Sequence, residues 1–351
     1  MLDDRATQHL RGIDRTLRTS ALGALVLLAI WVLRDILLLS FAAVLLACIL
    51  RGASDLLHRK TGLGSSLSLL AVVLAAALFL GLVLWWRGAA IAEQATQMVD
   101  QLTDQAQRLW EQLGTTPWGA FVARQLRGIA ESVRSGLGGY VPGVASSVLG
   151  IGGSAIVALA TAFFLAASPQ MYLNGSLRLL PPSWRPRGRL VAHEISTTLQ
   201  LWFLGQLADM VIVASLVGAG LFLLGVPLAA TLAIFAGILN FVPYIGAIAG
   251  AIPAILVAFS QSPTLALWVA LLFVGVQVLE GNVIAPIIQK RTISLPPALT
   301  ISSQTILGTL FGAFGLVLAT PLVAMLMTAV RTIYVEGILE DGENPKPEPH
   351  V

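Results

Sequence analysis

Two polar segments interrupt long apolar stretches of this sequence, and both carry residues that could do chemistry inside a membrane. The first, residues 240–246, reads Asn-Phe-Val-Pro-Tyr-Ile-Gly and lies within an apolar stretch at 228–259. Pro243 cannot donate a backbone hydrogen bond to the carbonyl of Leu239, and lipid offers no replacement donor. The freed carbonyl is therefore expected to face protein, water or a bound solute. Broken helices of this kind hold ion and substrate sites in many carriers. The alternative is a kink that only shapes packing.

The second segment, residues 277–286, reads Gln-Val-Leu-Glu-Gly-Asn-Val-Ile-Ala-Pro. Gln277 and Glu280 are three residues apart and share one face of a helix. A carboxylate that follows so many apolar residues is costly in hydrocarbon, so it is expected to face a polar cavity and to carry protons or ions. The alternative is that the helix ends near Glu280 and the side chain lies among headgroups, since Lys290 and Arg291 are close.

Two further polar residues are weaker candidates. Asp209 stands near the start of an apolar stretch at 207–224, where an interfacial position is as suitable as a buried one. Gln304 belongs to a polar group within residues 299–326, a stretch expected to break at Pro321. The predicted substrate or ion pathway consists of Asn240, Pro243, Tyr244, Gly246, Gln277, Glu280, Asn282 and Pro286, with Asp209 and Gln304 as weaker candidates.

Composition excludes a soluble enzyme. The chain has 351 residues, of which 56% are hydrophobic and only 11% charged, roughly half the charge of a typical soluble domain. The net charge of +3 comes from basic clusters beside apolar stretches, which indicates membrane topology and not nucleic-acid binding. The one cysteine, Cys48, lies in an apolar stretch and offers no disulfide or thiolate metal site.

The helical elements that must position these residues follow from the apolar stretches and the basic clusters. Arg34 and Asp35 divide an apolar stretch too long for one span, so a hairpin is predicted to turn there, with both basic flanks in the cytoplasm. Residues 228–259 either cross once with a break or turn back as a re-entrant hairpin. Small residues four apart, such as Gly308 and Gly312, indicate close helix packing.

The predicted organisation is therefore that of a membrane protein with one long extramembrane insertion. Its parts are a cytoplasmic N-terminal tail (1–19), a transmembrane hairpin with a third span (20–86), an extracytoplasmic amphipathic helical insertion (87–143), a further span (144–168), a cytoplasmic basic and interfacial segment (169–206), a transmembrane transport core (207–335) and a disordered C-terminal tail (336–351).

Missing motifs narrow the function. The sequence has no phosphate-binding loop of the form GxxxxGK[ST], so energy is expected from a gradient and not from nucleotide hydrolysis. The four histidines lie in tails or loops with no metal spacing, which disfavours a membrane metalloprotease. The sequence thus predicts no enzyme activity, no cofactor and no metal site.

Five segments together resemble one known family. They are 223–227 (LLGVP), 240–246 (NFVPYIG), 277–286 (QVLEGNVIAP), 311–315 (FGAFG) and 319–322 (ATPL). On these residues the chain resembles the autoinducer-2 exporter (AI-2E) family of bacterial permease-like transporters. The resemblance implies export or exchange of small solutes; some members are linked to a small polar quorum-sensing signal and others to sodium/proton antiport.

The sequence therefore predicts an all-α, polytopic transmembrane helix bundle of about eight spans, with proline-broken or re-entrant helices. Its expected function is gradient-driven transport of a small solute across the bacterial inner membrane, with both termini in the cytoplasm. The expected partners are the lipid bilayer and a small-molecule or cation substrate, without nucleic acid, and a homo-oligomer is left open. The alternatives are a sodium/proton antiporter and a non-transporting membrane scaffold.

Overall fold

The computed structural model of the protein describes residues 32–78, 81–82, 85, 144–289 and 295–339. Several predictions fall on other residues and lie outside this part of the chain. They concern the N-terminal tail, the first arm of the N-terminal hairpin, the amphipathic insertion at 87–143, and the residues beyond 339.

The described residues form helices throughout and no strand, which confirms the all-α prediction. The helices are α1 (Arg34–Thr61), α2 (Ser65–Leu78), α3 (Val144–Ala167), α4 (Pro169–Arg178), α5 (Arg185–Leu223), α6 (Ala229–Leu239), α7 (Ile245–Phe259), α8 (Pro263–Leu279), α9 (Ala285–Gln289) and α10 (Pro297–Val330), with a short 3₁₀ turn at Pro182–Trp184 and π-helical segments at Glu280–Ile284 and Arg331–Leu339.

Many large apolar side chains on these helices are exposed. Four helical stretches of the described residues are long and apolar enough to cross a membrane, and a bent pair formed by residues 156–178 could supply a fifth crossing. Exposed side chains such as Phe222 at 79% and Leu223 at 83% lie on apolar helices and not on a polar surface. Such faces need lipid around them, because water would make their exposure costly. The chain is thus a polytopic helical membrane protein.

Helix α1 begins at the charged pair predicted to mark a turn. Arg34 is its first residue, and the side chain of Asp35 is 80% exposed in its first turn. The helix ends at Gly62, whose φ of 71° lies in the left-handed region that glycine adopts without steric cost. Helix α1 therefore begins at the residues where the turn was predicted and continues into the basic cluster at Arg59, whereas the first arm of the predicted hairpin lies outside the described residues.

Helix α5 is continuous across the predicted border at residue 206 between an interfacial segment and the transport core. It runs for 39 residues, about 58 Å at 1.5 Å per residue. Leu199 is fully buried and Trp202 is 8% exposed, so both side chains pack inside the protein. The basic segment and the transport core are therefore joined by one rigid element.

Helices α6 and α7 form a tight antiparallel pair, called here the first hairpin, with its tip at residues 240–244. A Cβ atom on Gly246 would overlap the carbonyl oxygen of Leu239, and one on Gly250 would lie 2.9 Å from the Cα of Ala236. Helix α6 has 11 residues, about 16 Å in length and far short of the ~30 Å hydrocarbon core. Of the two predicted alternatives for residues 228–259, the chain takes the one that turns back.

Helix α10 also turns back on itself and is called here the second hairpin. Gly312 has φ 62° and ψ −147°, which no helix contains. Gln304 and Thr320, eight residues to either side, meet through a hydrogen bond of 3.4 Å, although a straight helix would separate them by about 24 Å. The prediction of a break at Pro321 is wrong, because Pro321 is buried inside a helical arm. Gly312 makes the turn because only glycine adopts this backbone conformation readily.

The two hairpins open toward opposite ends of the bundle. Residues 263–288 form one 26-residue stretch, about 39 Å long, that separates the end of the first hairpin from the start of the second. The guanidinium of Arg187 donates to the carbonyl oxygen of Thr332 over 2.9 Å, so the open end of the second hairpin lies beside the start of α5. Helical structure here continues to Leu339, three residues beyond the predicted start of the C-terminal tail at Glu336.

Both hairpin tips contact the same apolar cluster between α1 and α5. Phe241 from the first tip and Phe311 from the second pack against buried side chains that include Leu38, Leu199 and Trp202. The rings of Trp202 and Phe241 meet edge to face with centroids 5.8 Å apart. The fold thus brings two broken elements, entering from opposite ends, to one region beside the middle of α5.

Candidate functional site

Three buried polar side chains from three elements meet at the tip of the first hairpin. Asn240 donates its side-chain nitrogen to Asp209 Oδ2 over 2.7 Å and to Glu280 Oε1 over 3.4 Å. Asp209 belongs to α5, and Glu280 begins the π-helical turn after α8. Their exposed fractions are 9% for Asp209, 0% for Asn240 and 8% for Glu280. One amide therefore bridges two buried carboxyl groups, and the three residues are called here the acid–amide triad.

The backbone of Asn240 is held as well. Gln206, one turn before Asp209 on α5, donates its side-chain nitrogen to the Asn240 carbonyl oxygen over 2.8 Å. This carbonyl lies at the end of α6, where helical hydrogen bonding stops, so a side chain satisfies it. Together with the Asp209 contact, this bond fixes the hairpin tip against one face of α5.

Each member of the triad keeps one buried oxygen without a hydrogen-bond partner among the described residues. The atoms are Asp209 Oδ1, Asn240 Oδ1 and Glu280 Oε2. All three are acceptors, and buried acceptors without partners are costly. The two carboxyl groups are also close to each other, because both accept from the same amide nitrogen of Asn240. Two ionised carboxylates at such close range repel strongly, so a proton or a cation must stabilise the pair.

The turn at Glu280–Ile284 places Glu280 in the interior. The backbone nitrogen of Ala285 donates to the carbonyl oxygen of Glu280, five residues back, as in a π-helix. Pro286 has no N–H group to continue α-helical bonding through this region. The widened turn brings Glu280 into the interior near the end of an apolar helix.

A cavity of about 120 Å³ lies beside the triad. Five of the predicted pathway residues line this cavity, namely Asp209, Pro243, Tyr244, Gln277 and Glu280. Both hairpins contribute to it, the first through its tip and the second through Thr300 and Thr320. The remaining described lining residues are Trp202, Gly205, Gln206, Gly281, Ala285, Ile288 and Leu295.

A sequence model described as an AI-2E family transporter matches residues 21–334 of this chain. The chain belongs to the AI-2E transporter family. It is 28% identical to YueF of Bacillus subtilis over 79% of this chain and 81% of that protein. It is 24% identical to YrrI of the same organism over 84% of this chain and 86% of that protein. Both relatives are named as transport proteins, and neither name specifies a substrate. The resemblance drawn from the sequence is thereby confirmed, and the chain is a membrane transport protein by family.

The cavity of this AI-2E family member includes one strained residue. Tyr244 has φ 65° and ψ −57°, a backbone conformation that is costly for a bulky side chain. Its carbonyl oxygen accepts from the nitrogen of Ile248 over 3.3 Å, so the strained residue also starts the hydrogen bonding of α7. The hairpin tip is thus held by packing and by the triad in a conformation that Tyr244 alone would not favour.

Besides Asn240 of the triad, four predicted residues lie apart from the cavity lining. Gly246 is buried against Leu239, where its lack of a side chain permits the hairpin. Asn282 is exposed and donates to the carbonyl oxygen of Val278 over 2.8 Å, and Pro286 is also exposed. Gln304 is buried in the second hairpin and reaches the cavity only through its bond to Thr320.

The carbonyl of Leu239 is not free to face a solute. It accepts a hydrogen bond of 3.1 Å from the backbone nitrogen of Val242 and lies against Gly246. The expectation that Pro243 frees this carbonyl for water or substrate is therefore wrong in its details. The tight turn of the hairpin tip supplies the missing donor, and the chemistry of the site comes from side chains.

Four lining residues with polar side-chain groups were not predicted from the sequence. Trp202 and Gln206 precede Asp209 at intervals of seven and three, which places all three on one face of a helix. That spacing could have identified them. Thr300 and Thr320 are twenty residues apart and line the same cavity only because α10 folds back, which no residue spacing in the sequence indicates.

The donor set does not resemble a transition-metal site. Among residues 32–78, 144–289 and 295–339, no three His, Cys, Asp or Glu side chains come together in a metal-binding arrangement. Two carboxylates, an amide oxygen and nearby hydroxyls are hard oxygen ligands that suit protons, alkali cations or ammonium groups.

Proposed function

We propose that this protein is a gradient-driven carrier of small solutes in the bacterial cytoplasmic membrane, and that the acid–amide triad is its coupling site. The observation that carries this proposal is the bridge from Asn240 to Asp209 and Glu280 beside a cavity inside an apolar bundle. Buried carboxylates in membrane proteins commonly mark proton and ion pathways, because their burial is otherwise too costly to persist.

The charge of the triad gives the carrier its two states. With a proton or cation bound, the repulsion between Asp209 and Glu280 is relieved and the tip of the first hairpin stays docked. Without one, two negative charges face each other in a poorly hydrated site, and separation of the tip from α5 becomes favourable. Asn240 is the moving contact in this mechanism, because it alone joins the tip to both carboxyl groups.

The opposed hairpins suit alternating access. Each hairpin contributes to the cavity wall, and each opens toward a different end of the bundle. Displacement of one tip would connect the cavity with one side of the membrane, while the other hairpin keeps the opposite side closed. Carriers built from broken helices operate in this way around a fixed central site.

The basic residues support one orientation. Arg187 lies against the carbonyl oxygens of Thr332 and Gly337, so the basic start of α5 and the end of the second hairpin are on the same side. The positive-inside rule makes this side the cytoplasm. The first hairpin then opens to the outside, and the C-terminus is cytoplasmic.

The test uses the full-length protein in proteoliposomes that contain a pH-sensitive dye. Sodium and small amines, polyols and carboxylates are added outside, one at a time, under an imposed proton gradient. We expect at least one of them to drive proton movement in the wild type and not in Glu280→Gln, while Glu194→Gln, an exposed change on α5, behaves as wild type. If no compound moves protons in the wild-type protein, the carrier function is wrong and the scaffold alternative is favoured.

A further inference from the structure

We propose that the cavity takes a small organic monocation, bound between the Asp209–Glu280 pair and the aromatic side chains of Trp202 and Tyr244, and that this cation exchanges with a proton. The inference rests on the proposed carrier function and names the chemical class of its solute. It is carried by the charge, the lining and the size of the cavity.

The charge of the described lining is wholly negative. Its titratable side chains are Asp209 from α5, Glu280 from the turn after α8, and Tyr244 from the first hairpin, while α10 contributes only the hydroxyls of Thr300 and Thr320. An anion placed here would be repelled by two carboxyl groups, and none of the described lining residues has a cationic side chain that would offset this repulsion. The unpartnered carboxyl oxygens of Asp209 and Glu280 are acceptors, so the complementary ligand is a donor with positive charge.

The rest of the lining is unsuited to a bare metal ion. Trp202 and Tyr244 present aromatic surface beside the carboxyl groups, and aromatic faces attract organic cations. Pro243, Ile288 and Leu295 add apolar surface that an alkali ion or a proton would not use. A lining that combines carboxylates with aromatic and apolar walls matches a molecule with a cationic head and a short apolar body.

The volume of the cavity limits the size of the solute. The cavity of about 120 Å³ is slightly smaller than the ~150 Å³ engineered cavity that holds benzene. The solute that fits therefore has roughly four to six non-hydrogen atoms. Short alkylammonium and alkylguanidinium ions belong to this class, whereas sugars and amphiphilic drugs exceed it.

Exchange follows from competition for the same carboxyl groups. When the organic cation enters, a carboxyl O–H bond breaks and the proton leaves with water on the side to which the cavity is open. The net charge of the site is the same before and after. When a proton returns from the other side, the cation loses its counter-charge and is released. One cation is therefore moved against one proton, without any other reactant.

The experiment uses three probes of equal size. Methylguanidinium, methylurea and propionate each have five non-hydrogen atoms and carry a positive, zero and negative charge. Radiolabelled uptake is measured in proteoliposomes of the full-length chain with an acidic interior. We expect gradient-driven uptake of methylguanidinium with matching proton efflux, and a reduction of about 100-fold in Glu280→Gln, since one partner of a buried charge contact is lost.

Two further variants separate binding from folding. Trp202→Phe keeps an aromatic face and is expected to keep uptake, whereas Trp202→Leu is expected to raise the KM for methylguanidinium by about fivefold with little effect on kcat. Size-exclusion profiles and thermal unfolding in detergent check that each variant is folded. Equal KM values for the two folded Trp202 variants would contradict the proposed contact between the solute and an aromatic side chain at position 202.

The outcomes also separate this inference from the proposed function. If methylurea, propionate or sodium moves protons in a Glu280-dependent way and methylguanidinium does not, the carrier function stands and the organic cation is wrong. If methylguanidinium uptake is unchanged in folded Glu280→Gln, the proposed binding site is wrong. If none of the probes and no sodium moves protons in the wild type, both proposals are wrong.

Discussion

Asn240 and Asp209 meet through a hydrogen bond of 2.7 Å that joins the tip of the first hairpin to the middle of α5. The bond is buried, and the same amide nitrogen also reaches Glu280 over 3.4 Å. Asn240 thus fixes a hairpin tip and separates two carboxyl groups at once. Its replacement should affect stability and transport together.

The first prediction concerns this amide. Asn240→Ala removes the shared donor and leaves both carboxyl groups with further unsatisfied oxygens, which should lower the free energy of unfolding by about 1–3 kcal/mol. Thermal unfolding in detergent measures the loss. Asn282→Ala is the matched control, because Asn282 is exposed and donates only to the carbonyl of its own helix. Equal melting temperatures for the two variants would contradict the role given to Asn240.

The second prediction concerns solvent access to the cavity. Gly281 lines the cavity and has open space for a side chain, whereas Gly275 on α8 has equal space and lies outside the lining. On a Cys48→Ala background, Gly281→Cys should react with a membrane-impermeant thiol reagent and Gly275→Cys should not, since the latter faces lipid. Protection of both cysteines would mean that the cavity is dry, and reaction of both would mean that this face of α8 is not in lipid.

The sequence predicted the chemistry of the site better than its geometry. Glu280 and Asn240 were recognisable because polar side chains inside long apolar stretches are costly and need a reason. Asp209 was harder, since its place near the start of an apolar stretch is equally suitable for an interfacial residue. Its partner in the triad is 31 residues away, and only the turn of the first hairpin shows which alternative the chain takes.

The second hairpin was not predictable from the same signals. A break was predicted at Pro321 because proline has no backbone N–H to donate within a helix. The buried Pro321 is nevertheless accommodated within one helical arm of the second hairpin. Gly308 and Gly312 are four apart, the spacing of close helix packing. Gly308 does pack, against Leu316 of the opposite arm, but Gly312 makes the turn. Glycine spacing alone does not distinguish these roles.

The third prediction tests the first hairpin through Gly246. A methyl group at this position would overlap the carbonyl oxygen of Leu239, which is backbone and cannot rotate away. Gly246→Ala should therefore lower the free energy of unfolding by about 2 kcal/mol or more. Gly275→Ala, where a methyl group meets open space, should change it little or increase it, because alanine favours helix more than glycine does. Chemical denaturation in mild detergent compares the two variants, and equal midpoints would argue against the tight antiparallel pair.

The fourth prediction concerns the contact between the start of α5 and the C-terminal helical segment. The guanidinium of Arg187 donates to the carbonyl oxygen of Thr332 over 2.9 Å and to that of Gly337 over 3.4 Å. A side chain on Gly337 would overlap this guanidinium, so Gly337→Ala should displace it and expose the segment from 331 onward to protease. Gly175→Ala, in open space on α4, is the control. We expect limited proteolysis to remove the C-terminal segment several times faster from Gly337→Ala than from the control.

Arg187→Lys should resemble Gly337→Ala, because an ammonium group cannot reproduce the two parallel hydrogen bonds of a guanidinium. Equal cleavage rates in all three variants would show that other contacts hold the segment, and the shared side assigned to α5 and the second hairpin would lose its main support.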